Sequence, residues 1–166
     1  MKHLYKIVLF SVVMLGISSC IKKPDYPPFP VITFQSLVAH ADTTGTLKIN
    51  FTCGNGDIGY PSGETNVPPD FCFEIFQQNV NGSFYAITEP GTISDPVTGD
   101  TVVYYYNIPD ITPVGNNKEI SGQIQIALGE NNWNVANNVT EELVVWIVDR
   151  AGHKSNRITT TPVLVP

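Results

Sequence analysis

Thr46-Leu47-Lys48-Ile49-Asn50-Phe51-Thr52 alternates apolar and polar side chains at every step, which puts Leu47, Ile49 and Phe51 on one face of an extended chain. A helix would scatter the same residues around its circumference. Working outward, short runs rich in β-branched and aromatic residues recur between Gly, Pro and Asn, and no run from Val31 onward carries a helical period. Strands are predicted at 31–38, 46–52, 71–80, 83–88, 101–107, 119–128, 140–149 and 156–164. In the sixth, Ile120, Ile124, Ile126 and Leu128 share a face. Asn81-Gly82 lies between two strands and is the dipeptide favoured by a type I′ hairpin turn. Seven or eight short strands in one domain predict an all-β fold, an antiparallel immunoglobulin-like or fibronectin-like β-sandwich. In it 46–52 is strand B, 71–80 strand C, 140–149 strand F and 156–164 strand G. Trp146, inside the apolar run Leu143–Val148, is expected to pack in the core.

The N-terminus reads differently. Lys2 and Lys6 precede an uncharged apolar run from Ile7 to Ile17, too short to span a bilayer as a mature helix, and Ser18 and Ser19 follow. Ile17-Ser18-Ser19-Cys20 resembles the lipobox of bacterial lipoproteins, with small side chains beside the cut and a cysteine thiol to take the lipid. The resemblance implies a cleaved signal peptide over 1–19, lipidation of Cys20, and an address in the cell envelope, anchored to the outer membrane on its periplasmic or its surface face. Several acyl chains anchor firmly where one is marginal. Residues 20–30 contain four prolines and are expected to form an extended tether of about 30 Å. The folded domain is then 31–166.

Fifteen acidic side chains stand against nine basic ones, a formal net charge of −6 that deepens when Lys2 and Lys6 leave with the leader. That balance speaks against nucleic-acid binding, which draws its affinity from basic groups on phosphates. Beyond Cys20 the cysteines are Cys53 and Cys72. In an oxidising compartment they are a candidate disulfide, the alternative being two buried thiols. His40 and His153 have no zinc-ligand spacing with them.

Cys53-Gly54-Asn55-Gly56-Asp57-Ile58-Gly59-Tyr60 follows strand B, and Asp149-Arg150-Ala151-Gly152-His153-Lys154-Ser155-Asn156 follows strand F. The pair resembles small lipoproteins of Bacteroidota that carry a Gly-Asp-Ile-Gly motif and a C-terminal Asp-Arg-Ala-Gly-x-x-Ser-Asn motif. That family has no established activity, and its fuller pattern has aspartates where Cys53 and Asn55 stand. In the predicted sandwich the B–C and F–G connections emerge at one pole, so Asp57 and Asp149 are expected to be neighbours. Two roles suit them. With Asn55 and Asn156 they supply hard oxygen ligands for Ca²⁺, or they accept backbone N–H groups and tie down glycine-rich turns.

Enzymatic signatures are missing: there is no Gly-x-Ser-x-Gly elbow, phosphate loop or His-Glu-x-x-His. Adjacent Glu141 and Glu142 face opposite sides of a strand and cannot act as a carboxylate pair. Tyr104 and Tyr106 share one face and Tyr105 takes the other, as expected of tyrosines half-buried on a sheet. Trp133, in the polar run Glu130-Asn131-Asn132-Trp133-Asn134, is expected to be exposed and to contact a ligand. Thr43 and Thr101 follow aspartates in sites that resemble O-glycosylation acceptors of exported Bacteroidota proteins. The expectation for function is a membrane-anchored, non-enzymatic accessory or binding domain contacting another envelope protein or a glycan, with no cofactor. The alternatives are a calcium-stabilised structural module and a cryptic hydrolase.

Overall fold

The computed structural model describes residues 25–42, 44–87, 103–129, 133 and 138–166. It is an antiparallel β-sandwich, and among the described residues there is no helix. The strands are β1 (Val31–Ala39), β2 (Gly45–Cys53), β3 (Phe71–Gln78), β4 (Phe84–Ala86), β5 (Val103–Tyr106), β6 (Ile120–Leu128), β7 (Val139–Ile147), β8 (Ile158–Thr159) and β9 (Val163–Val165). One sheet has the order β1-β2-β6. The other runs β4-β3-β7-β8, with β5 beside β4 along the edge of β3 and β9 beside β8 along β7. Strands B, C, F and G of the sequence assignment are therefore β2, β3, β7 and the β8/β9 pair, and C lies beside F and F beside G.

Alternation builds the core. Leu47, Ile49, Phe51 and Cys53 of β2 face Phe71, Phe73 and Ile75 of β3 and Leu143, Val145 and Ile147 of β7, all buried in one cluster. Leu47 pairs with Leu37 on one side and Ile126 on the other, so the face first read from the sequence is continued across the sheet. Tyr104 and Tyr106 turn inward together and stack on Phe73 at 5.4 and 6.1 Å between ring centres, while Tyr105 points outward.

Two local expectations change. The predicted strand 156–164 divides into β8 and β9. Pro162 has no N–H to give, and the register against β7 slips by one residue between Thr159 and Val163. Thr160 bridges the slip: its N–H donates to the Leu143 carbonyl, and its hydroxyl accepts the Leu143 N–H. The β3–β4 hairpin is not a type I′ turn. Gly82 has φ 83°, but Asn81 stays at negative φ. The Gly82 N–H donates to the Asn79 carbonyl, and Asn79 Oδ1 accepts from Asn81 and Ser83, making a longer turn closed by a left-handed glycine.

The expected disulfide is not formed, because Cys53 and Cys72 lie on different faces. Cys53 points into the core from one sheet. Cys72 sits on the outward face of the other, paired with Tyr105 and Trp146. Both are buried thiols, and β3 itself separates them. The outward face that holds Cys72 is covered locally: the Arg157 guanidinium lies 4.0 Å above the Trp146 ring and reaches Glu74 at 3.1 Å. Trp146 is thus buried, but under an arginine rather than between the sheets.

Candidate functional site

The loops that carry both sequence motifs meet at one pole of the sandwich. The Arg150 N–H donates to the Asp57 carbonyl at 3.0 Å, so the B–C and F–G connections are neighbours as expected. A third segment, 107–119, joins them. Tyr60 donates to the Ile108 carbonyl and accepts from the Asp110 N–H, while the Ile111 N–H reaches the Ile58 carbonyl. Ile58 and Ile108 fill the end of the core beneath.

The glycines of the first motif exist for this approach. Gly56 and Gly59 hold positive φ, and a Cβ on them would lie 2.0 Å from the Lys118 carbonyl oxygen and 2.1 Å from that of Pro109. No side chain fits there. Gly54 is different in conformation but equally tight: its Cβ would meet the Tyr26 and Pro27 carbonyl oxygens at 2.7 and 2.8 Å. Its N–H donates to Pro27 at 2.6 Å, and the Cys53 thiol faces the Pro28 carbonyl. The tether expected over 20–30 is therefore not free along its length. Residues 26–28 lie on the pole, and Pro30 is buried.

Two buried aspartates hold the loops. Asp149 is 1 % exposed. One carboxylate oxygen accepts the His153 N–H at 2.7 Å and the other accepts from His153 Nδ1 at 2.9 Å, while Gly152 donates to the Asp149 carbonyl. This is the turn-stabilising role. Asp70, which the sequence reading passed over, accepts the Ile108 N–H on Oδ1 at 2.8 Å and the Val148 N–H on its carbonyl, joining all three loops. Its Oδ2 is buried without a partner, and burial pushes its pKa up to about 6. An aspartate just after Pro68-Pro69 and just before an apolar strand was the available signal. Burial also raises the Cys53 thiol, with Asp57 and Asp149 nearby adding to the effect.

The four residues expected to bind calcium together do not converge. Asp149 is enclosed in its own turn. The Asn156 amide is committed to β1, accepting the Ile32 N–H and donating to the Ile32 carbonyl at 2.9 Å each. Asn55 and Asp57 instead line an open depression of about 500 Å³ with Gly54, Asn116, Asn117, Lys118 and Glu119. Asp57 Oδ1 is buried there with no partner. Among the described residues no group of three or more His, Cys, Asp or Glu side chains is placed to hold a metal ion.

Trp133 is not an exposed ligand contact. It is 1 % exposed and belongs to the core cluster, its ring lying where a side chain on Gly45 would be, with a Cβ there 3.0 Å from the indole. A large ring gains more by covering this end of the sandwich than its polar neighbours in sequence suggest. Cys20, Thr43 and Thr101 lie outside the described residues. No family model matches the chain, and no curated protein matches it.

Proposed function

We propose that this chain is a lipid-anchored, non-enzymatic accessory domain of the cell envelope, cut before Cys20 and held there by acyl chains. The observation that carries the reading is the docking of residues 26–28 against Gly54. A five-residue linker, 21–25, separates the candidate lipidated cysteine from a rigid domain, an arrangement suited to holding a β-sandwich at a membrane. The non-enzymatic reading draws on what two buried carboxylates do: Asp70 and Asp149 accept backbone and His153 donors and tie the loops together. Likeness to the Bacteroidota lipoproteins rests on the two loop motifs, whose glycines and Asp149 here serve loop packing. The partner is another envelope protein or a glycan. Copurification from detergent-solubilised envelopes tests this, together with the mass of the Cys20 peptide. Recovery of the protein alone, with no bound glycan and an unmodified Cys20, overturns it.

A second reading is a calcium-stabilised module. It is favoured by the depression that Asn55, Asp57, Asn116, Asn117 and Glu119 line, with oxygen donors of the kind Ca²⁺ takes, and by an Asp57 oxygen buried without a partner. Binding only the folded state would raise the melting temperature. Equal melting temperatures in calcium and in chelator remove this reading.

A further inference from the structure

The domain has two ends, and the attachment chooses between them. β2 runs from Gly45 to Cys53 toward the loop pole, and β3 runs from Phe71 at that pole to Gln78 at the other, where the 79–83 hairpin projects. The N-terminal chain arrives at the loop pole, beside Gly54. From Cys20 to Tyr26 an extended chain covers at most about 20 Å. Whatever holds Cys20 therefore stands close to loops 54–70 and 107–119.

That pole exposes apolar side chains at its tips. Phe29, on the docked N-terminal segment, is 47 % exposed, and Val114 is fully exposed. Pro27, Pro28 and Pro113 flank them. Both segments lie beside the 54–56 turn: a Cβ on Gly54 would meet the Pro27 carbonyl, and one on Gly56 the Pro113 ring and the Lys118 carbonyl. Val114 precedes Gly115, which holds φ 110°, and the Lys118 ammonium donates to the Pro113 carbonyl at 2.9 Å. The segments of this pole carry charges of both signs: Lys118, Arg150 and Lys154 against Asp25, Asp57, Glu64, Asp110, Glu119 and Asp149. Acidic groups outnumber basic ones, so charge does not draw this pole to an anionic headgroup surface, and the apolar tips and the short linker have to hold it there.

We propose that this pole rests on the lipid headgroup surface of the membrane that holds the anchor, with Phe29 and Val114 entering the interface. The inference rests on lipidation of Cys20 and deepens it by naming what the pole touches. Two apolar tips bind a bilayer weakly on their own, but a five-residue linker keeps them at a high effective concentration beside it. Partners of the anchored protein then meet the opposite end and the flanks.

The 79–83 hairpin supplies the control, because Val80 is as exposed as Val114 and lies at the other end. Full-length Val114→Cys and Val80→Cys proteins, produced with the lipid and labelled with a fluorophore, are placed in vesicles of 3:1 phosphatidylethanolamine and phosphatidylglycerol carrying a headgroup nitroxide. Native Cys53 and Cys72 are buried and stay unlabelled in the folded protein. Quenching at least about threefold stronger at 114 than at 80 is the expected result, dropping by about half when Phe29→Ser is added to Val114→Cys, since the tip leaves the interface while the linker still keeps this pole the nearer one. Equal, weak quenching in a protein that floats with the vesicles and carries acyl mass on Cys20 overturns the proposal and leaves the anchor standing. An unmodified Cys20 in a protein that does not float overturns both.

Discussion

The Gly54 N–H donates to the Pro27 carbonyl at 2.6 Å, and this contact joins the first loop motif to the segment that enters the domain. It works only because position 54 has no side chain. A Cβ would stand 2.7 and 2.8 Å from two backbone carbonyl oxygens, neither of which can swing away as a side chain would.

Gly54→Ala is therefore expected to destabilise the domain by about 1–3 kcal/mol, the range of other substitutions that force a backbone to shift. It also releases residues 25–29, so limited proteolysis should cut there several times faster than in the wild type. Chemical denaturation and cleavage mapping read the two effects separately.

Asp149→Ala removes the acceptor of two hydrogen bonds in a buried turn and strands the His153 N–H, an expected loss of about 2–4 kcal/mol. His153→Ala keeps the backbone donor on Asp149 and gives up one half-exposed contact, so about 1 kcal/mol or less is expected. If the two variants melt together, the carboxylate is not what closes the turn.

Asp70 predicts a pH dependence. Its folded pKa is about 6 against an ordinary value of 3.8, so between these pH values the folded state holds a proton that the unfolded state has lost. Stability then falls as pH rises from about 4 to about 6, by on the order of 2 kcal/mol for a shift of this size. Asp70→Asn keeps an oxygen for the Ile108 N–H and cannot ionise. Its stability should decline less over this window than that of the wild type, the remainder belonging to groups such as Glu142 that burial also raises, as urea midpoints at several pH values will show.

Cys53 and Cys72 predict an alkylation pattern. In protein purified without reductant, a thiol reagent should modify neither in the native state and both after denaturation, because the strands that bury them keep them apart. A disulfide-linked peptide containing both residues would contradict the arrangement of the two faces.

Trp133→Ala should cost about 3–5 kcal/mol, as for other large buried rings, and should leave any glycan binding untouched once the variant is refolded at low temperature. Melting temperature and a binding titration separate this from a surface role.

The strands were legible because alternation is a local signal. Leu47, Ile49 and Phe51 predict one face from three residues, and every predicted strand from 31 to 149 has a counterpart within a few residues of its expected limits. The last one misled because a one-residue slip at Thr160–Pro162 depends on what β7 offers opposite. The neighbourhood of Asp57 and Asp149 was also legible, since chain order in such a sandwich brings those two connections to one pole. What each carboxylate does there was not, because a hydrogen bond to His153 or an enclosure beneath a loop depends on distances that spacing does not contain. Trp133 and Cys72 failed for a related reason. Polar neighbours in sequence say little about burial when the residue covers the end of a core, and parity places a cysteine on a face only after the partner strands are known.

By itself the sequence determined the all-β class, the strand assignment, the acidic balance and the leader-like N-terminus, all properties of short stretches or of composition. Only the tertiary structure decided that Gly54 receives the incoming chain, that the cysteines sit on opposite sides of β3, and that Asn55 and Asp57 share their depression with residues 116–119. These are meetings of segments far apart in the chain, and they depend on register and on the close approach of backbones, which no local pattern encodes.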